Sequence, residues 1–178
     1  MKKTFVYAVF VLSMWSVFSL MAPQLGAELT NIAGSGSFPR QWQVFGPLSQ
    51  DDPVVETNIL KTIPTELDIS GRKFRPITVT VQDPFNRFDL APLLGGTRAG
   101  KTAYVFIPLE SPSDSEVTLG MGADWWLQAW LDGNLIADTT KDGNGPWPPT
   151  IHDHLVTVHL NKGTHVLAVR FISGSGSS

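Results

Sequence analysis

Short apolar stretches alternate with turn-forming residues along most of the chain, a pattern typical of β-structure. Residues 77–81, Ile-Thr-Val-Thr-Val, alternate apolar and polar positions throughout. Because successive side chains of a strand point to opposite faces, this alternation predicts a strand with one buried face. Similar patterns predict further strands at 41–45, 102–107, 116–121, 125–131, 135–137, 155–160 and 164–172. No stretch after residue 27 repeats apolar residues at helical spacing, so we expect little helix.

Glycine, proline and aspartate separate these strands and predict how some of them pair. Asp132-Gly133 lies between two apolar runs and suits a two-residue turn with positive φ at both positions. We therefore expect a hairpin there, and a second one around residues 161–163. Residues 49–75 are expected to form long connections with one or two short strands, and residues 141–149 an exposed loop. Together these elements predict an all-β, antiparallel sandwich.

The first 27 residues have the layout of a secretory signal peptide. Lys2 and Lys3 precede an apolar run of about 18 residues, Pro23 ends the run, and the small residues Gly26 and Ala27 follow. We expect cleavage after Ala27, a secreted or periplasmic location, and no membrane attachment after cleavage. An uncleaved anchor is the alternative, because the run reaches spanning length. The chain then divides into a signal peptide (1–27), a linker (28–39), a sandwich domain (40–173) and a flexible tail (174–178).

Charge and cysteine content exclude several classes of function. With Lys2 and Lys3 removed, 11 basic residues face 16 acidic ones, a net charge of −5. This acidic balance argues against nucleic acid as a partner. The chain contains no cysteine, so the domain has no disulfide framework and no thiolate metal site.

The stretch GADWWLQAWLDG (122–133) carries three of the six tryptophans. In a strand, Trp125 shares a face with Leu127, Ala129 and Leu131, which predicts that this face is the core. Trp126, Gln128 and Trp130 share the other face, where aromatic rings could stack on sugar and the amide could bind hydroxyls. The alternative, which we favour, is that the long connections fold over this face and bury the rings.

Trp147 is a further candidate ligand residue, because it stands in the loop 141–149, which no core pattern includes. A structural role, in which the ring pins the loop to the sandwich, is equally open. The candidate ligand-binding residues are thus Trp126, Trp130, Trp147 and Gln128.

No cofactor is expected, and the candidate metal ligands are few. His152 and His154 could face the same way in an extended chain, but two ligands do not make a site. A structural calcium ion on loop carboxylates is the better option, although solvated turn aspartates explain the same residues. The four acids considered are Asp51, Asp52, Asp138 and Asp142.

Catalysis finds little support in the sequence. The chain has no Gly-x-Ser-x-Gly elbow, no His-Glu-x-x-His motif and no phosphate loop. Asp124 and Asp132 flank the tryptophan-rich strand and could be paired carboxylates, but both have turn explanations. We therefore expect a protein that is not an enzyme.

Four segments together resemble galactose-binding-like jelly-roll domains of secreted bacterial proteins, similar to the sugar-binding domains that accompany glycoside hydrolases. They are WQVFGPL (42–48), TAYV (102–105), GADWWLQAWLDG (122–133) and LNKGTHVLAVR (160–170). The resemblance implies a jelly-roll sandwich and a non-catalytic carbohydrate-binding or accessory module, which could belong to a larger glycan-processing protein. Some members of that family are scaffolds, and no ligand-contact pattern of the family matches here. A structural or adhesion domain that acts by protein–protein contact is the alternative.

Overall fold

The computed structural model describes residues 4–8, 38–83, 86–95, 100–145 and 148–174, and of residues 4–8 only the course of the strand. Within these ranges the chain is almost entirely β-structure, with one short 3-10 turn at Ile59–Lys61. The strands are β1 (Thr4–Ala8), β2 (Gln41–Ser49), β3 (Leu67–Ile69), β4 (Arg72–Phe74), β5 (Ile77–Thr80), β6 (Lys101–Ser111), β7 (Ser115–Met121), β8 (Trp126–Leu131), β9 (Asn134–Asp138), β10 (His154–Leu160) and β11 (Gly163–Ile172). No helix among the described residues has the length and apolar character needed to cross a membrane.

Two sheets build the sandwich. The large sheet has the order β5-β2-β6-β11-β8-β9, and all its neighbours are antiparallel. The small sheet has the order β1-β7-β10, in which β7 and β10 are antiparallel. Apolar side chains from both sheets form one core, including Leu127 and Ala129 of β8 and Val117 and Leu119 of β7. The predicted all-β antiparallel sandwich is therefore confirmed.

Strand β1 lies inside the segment that the sequence predicts to be a signal peptide. It runs parallel to β7, with Thr4 opposite Glu116 and Ala8 opposite Gly120. The predicted cleavage position and most of the predicted linker lie outside the described residues, as do positions 175–178 of the tail. Secretion and cleavage therefore stay predictions.

The outer face of the large sheet carries a second core. Residues from 55–74, including the β3–β4 hairpin, fold over it and cover Tyr104, Phe106 and Trp130. The backbone N–H of Val55 donates to the Tyr104 hydroxyl at 3.0 Å, which ties this covering segment to β6. Because both faces of β8 are covered around Trp130, that part of the domain has three layers.

Strands β8 and β9 form the predicted hairpin. Asp132 and Gly133 have φ values of 49° and 80°, as a two-residue turn of this kind requires. The second predicted hairpin is wrong: β10 pairs with β7 in the small sheet, whereas β11 pairs with β6 and β8 in the large sheet. The residues between β10 and β11 therefore cross from one sheet to the other.

Two strands continue past prolines at which the sequence predicts an end. β2 runs through Gly46-Pro47, a cis peptide, with a register shift against β6 between Phe45 and Leu48. β6 runs through Pro108, which lies opposite Val166 and beyond the part of β6 that pairs with β2. Proline is tolerated where a strand lacks a neighbour on one side or carries a bulge.

Candidate functional site

An open cleft lies at the start of β8. Its volume is about 610 Å³, within the range of small-molecule sites. Two chain segments line it, residues 123–126, which lead into β8, and residues 141–145, which belong to the loop after β9. This loop is the first half of the segment that the sequence predicts to be exposed.

Trp125 and Trp126 form the aromatic wall of the cleft. Their ring centroids are 5.7 Å apart and the ring planes are inclined by 40°. Trp126 begins β8 and is half-buried, with Nε1 3.9 Å from the place where a Cβ on Gly143 would stand. The loop therefore passes close to the Trp126 ring.

The sequence-based assignment of Trp125 to the core is wrong. Trp125 precedes β8, so the alternation of the strand does not reach it, and its side chain is 38% exposed. Its φ is 89°, a left-handed conformation that is rare for a bulky residue. The ring packs against Gly174, where a Cβ would stand 2.2 Å from a ring carbon, so only glycine fits there without displacing the ring.

Asn144 holds the segment 123–125 in this conformation. Its backbone N–H donates to the Trp125 carbonyl at 2.9 Å, and its side-chain Oδ1 accepts from the Ala123 N–H at 3.0 Å. One residue thus bridges both sides of Asp124. Asn144 lies between Gly143 and Gly145, whose positive φ values of 74° and 86° let the loop turn sharply on either side of it.

A second layer of hydrogen bonds supports Asn144 from the turn before β10. The Asn144 Nδ2 donates to Asp153 Oδ2 at 2.6 Å, and Asp153 also accepts from the Thr150 backbone N–H and hydroxyl. His154 Nε2 lies 3.2 Å from Asn144 Oδ1, within hydrogen-bond distance of this amide oxygen. Asn144 is buried, and both the oxygen and the nitrogen of its side-chain amide have hydrogen-bond partners.

Two glycines make room for that turn, Gly120 within β7 and Gly122 just after it. A Cβ at Gly122 would stand 2.1 Å from the Thr150 carbonyl oxygen, and one at Gly120 would stand 2.2 Å from that of Ile151. The glycines let the turn lie directly on the β7 segment, which brings Asp153 to Asn144. Sequence reasoning missed Asn144, and the available signal was the Gly-Asn-Gly spacing within a loop that was predicted to be exposed.

The three sequence-predicted ligand residues that the structure describes do not assemble into one site: they are Trp126, Gln128 and Trp130. Trp126 lines the cleft. Trp130 is only 4% exposed, with its ring 6.5 Å from that of Tyr104, so it cannot present a face to a ligand here. The favoured alternative, burial by the long connections, thus describes Trp130. Trp147 lies outside the described residues, and its role stays a prediction.

Gln128 belongs to a network of hydrogen bonds on the outer face of the large sheet. Its Nε2 donates to Asp138 Oδ2 at 2.9 Å, and its Oε1 accepts from Arg170 Nη1 at 3.1 Å. The buried Arg170 also donates to the Gln50 carbonyl at 3.2 Å. The amide of Gln128 is therefore committed to protein groups, and the residue does not line the cleft.

The four aspartates considered for calcium do not form one group, although Asp138 and Asp142 line a common second cleft. Among the described residues no group of three or more histidine or acidic side chains is placed to hold a metal ion. Asp52 accepts from the Ser49 N–H and pairs with Arg72. The Ser49 hydrogen bond is the largest influence and lowers the pKa of Asp52; burial opposes it, and Arg72 adds to it. Asp138 likewise accepts from Gln128 and Thr140.

The cleft is suited to binding a ligand with apolar faces and hydroxyl groups. Two indole rings offer apolar surface, while Lys141 and Asp142 supply charged hydrogen-bonding groups. No histidine, serine, threonine, tyrosine or cysteine is among the described residues that line it.

Comparison with known proteins gave no match: no family model, no curated protein and no solved structure is significantly similar to the chain.

Proposed function

We propose that the protein is a secreted, non-catalytic carbohydrate-binding or accessory module, and that the cleft at Trp125 and Trp126 is its binding site. The observation that carries this proposal is the conformation of Trp125. A tryptophan with positive φ and an exposed ring is unfavourable both for the backbone and for hydration, and such strain concentrates at functional sites. Two further observations support it: Gly174 leaves space for the ring, and Asn144 fixes the backbone on either side of Asp124.

Carbohydrate is the ligand class that this combination favours. Sugar rings present C–H groups that pack on aromatic faces, while their hydroxyls need charged or amide partners at the rim. Lys141 and Asp142 are exposed beside the two rings and can fill that role. The resemblance to galactose-binding-like domains points in the same direction.

The lining favours binding over catalysis. A glycoside hydrolase needs one carboxylic acid that is shielded from water so that it holds its proton, and a second carboxylate across the bond. Asp142 is exposed, so it does not have the shielding of a general acid. We therefore assign the carboxylate of Asp142 to hydroxyl binding.

The test is to titrate the protein with a panel of plant, algal and microbial glycans by calorimetry, alongside the variants Trp125→Ala and Gly174→Ala. Trp125→Ala removes one ring; Gly174→Ala keeps both rings but displaces that of Trp125. Each should weaken binding by about tenfold or more, equivalent to about 1.4 kcal/mol, with little change in melting temperature for Trp125→Ala. Leu135→Ala is the matched control, because Leu135 is an apolar residue, 54% exposed, away from the cleft.

Two results would overturn the proposal. One is the absence of binding to every glycan on the panel. The other is binding by Trp125→Ala that equals that of the unmodified protein.

A structural or adhesion domain is the second candidate function. It is favoured by the burial of Trp42 and Trp130, which are 0% and 4% exposed and serve the two cores. In that case the Trp125 ring would serve only to pack against Gly174 and stabilise the fold. Loss of stability in Trp125→Ala, with no glycan binding by any form, is the result that it predicts.

A further inference from the structure

We infer that the cleft takes the uncharged end of a glycan, about one or two sugar residues, rather than the length of a polysaccharide or an acidic sugar. This inference rests on the proposed carbohydrate function and adds the ligand class. It is carried by the angle between the two tryptophans, the short lining of the cleft and the balance of its charges.

The tryptophan rings form a corner. To hold a sugar between two facing aromatic rings takes about 7–8 Å, twice the 3.5–4.0 Å contact distance of carbon atoms. At 5.7 Å the centroids of Trp125 and Trp126 are too close for that, so the two rings contact each other instead. Because the two ring planes are inclined by 40°, a straight glycan that stacks flat on one ring cannot also stack flat on the other. The wall is therefore shaped for one sugar ring and an adjoining group.

The described part of the cleft lining has the same short reach. It comes from only two segments, 123–126 and 141–145. The ring of Trp130, which would extend an aromatic track along β8, is buried under residues 55–74. The described part of the chain thus has no second exposed tryptophan farther along this strand to follow a longer glycan.

The charges of the lining do not suit an anionic ligand. Sites for carboxylated or sulfated groups are built from clusters of arginine or lysine. In the described part of the lining the one ammonium group, Lys141, is offset by the neighbouring carboxylate of Asp142. A uronate in the cleft would meet at least as much repulsion as attraction, whereas a neutral sugar would meet none.

Lys141 and Asp142 suit two neighbouring hydroxyls. Lysine only donates and an ionised aspartate only accepts, whereas a hydroxyl group can do both. Neither side chain takes part in a hydrogen bond within the described part of the chain, although the charge of Lys141 does act on Asp138. The amide of Asn144 already forms hydrogen bonds with Ala123, Asp153 and His154. It therefore holds the tryptophan-bearing segment in place and does not contact the sugar.

The experiment uses oligosaccharide ladders from monomer to hexamer in neutral series (gluco-, xylo-, manno- and galacto-configured) and matched oligouronates. Calorimetric affinity should stop rising at about the dimer, and the matched uronate should bind about tenfold more weakly or worse. Asp142→Asn should reduce the discrimination against uronates, because it removes the carboxylate that repels them. Glu56→Gln, which changes an exposed carboxylate outside the cleft lining, should leave the discrimination unchanged.

The outcomes separate this inference from the function it rests on. If affinity keeps rising through the hexamer, or if uronates bind as tightly as neutral sugars, the inference fails while carbohydrate binding stands. If no member of any ladder binds, both fail. If Asp142→Asn and Glu56→Gln change the discrimination equally, the charge argument is refuted.

Discussion

Replacement of Asn144 by alanine should destabilise the domain more than its position in a loop suggests. The buried Ala123 N–H would lose its acceptor, which costs about 1–3 kcal/mol for an unsatisfied buried donor. Asp153 and His154 would each lose one hydrogen bond, at about 0.5–1.5 kcal/mol apiece before allowance for water that can replace them. We expect a loss of about 2–4 kcal/mol in the free energy of unfolding.

Urea unfolding, followed by tryptophan fluorescence, measures this loss directly. For a domain of about 150 residues the same change lowers the melting temperature by about 5–15 °C. Asn144→Asp should also be destabilising, because its carboxylate would face that of Asp153 where the amide now donates at 2.6 Å. Asn134→Ala is the control: this asparagine is exposed at the start of β9, and its loss should cost about 0.5 kcal/mol or less.

The reasoning would be refuted if Asn144→Ala cost no more than Asn134→Ala. That outcome would mean that water replaces the amide without loss and that the loop is not held by this residue. Binding at the cleft should be measured well below the melting temperature of the variant, so that altered affinity is not confused with unfolding.

Two other predictions concern the large sheet and its edge. Trp130→Ala should cost about 3–5 kcal/mol of unfolding free energy, because the ring fills the second core. Trp125→Ala should cost about 1 kcal/mol or less, because its ring is partly exposed. Equal losses in urea unfolding would contradict this assignment. His165 is predicted to make stability depend on pH. Burial lowers its pKa, but the hydrogen bonds to Asp132 and to the Asn161 carbonyl, with the charges of Asp132 and Glu110, outweigh burial and raise the pKa above its usual value. Because the folded state holds the proton more tightly, the stabilisation from His165 is full below the unfolded pKa of about 6.5 and disappears as pH rises through the folded pKa. The stability difference between the unmodified protein and His165→Gln should therefore shrink as pH rises from acid to alkaline values.

Much of the fold could be predicted from the sequence, because β-strands and tight turns have local sequence patterns. Alternation at 77–81 and the runs at 102–107 and 164–172 predict strands that the structure contains as β5, β6 and β11. The Asp132-Gly133 turn could be predicted as well, because its backbone conformation depends on those two residues alone. Local sterics and side-chain periodicity do not need distant contacts, so a single sequence reveals them.

The sequence alone could not predict which strands β10 and β11 pair with. A hairpin and a crossing between sheets can share the same two apolar runs and the same turn. The choice depends on which partners the strands find: β11 is buried between β6 and β8, whereas β10 completes the small sheet beside β7. Those partners lie up to about 70 residues away in the chain, and turn chemistry does not encode them.

The tryptophans show the same division between local and distant causes. Alternation along 125–131 correctly separates Leu127 and Ala129 from Gln128 and Trp130, but it does not say whether the second face is covered. Residues 55–74 cover Trp130, and Asn144 draws Trp125 out of the strand into a left-handed conformation. By itself the sequence determined which side chains share a face. Only the tertiary structure decided which face meets water, because exposure depends on chain segments far away in the sequence.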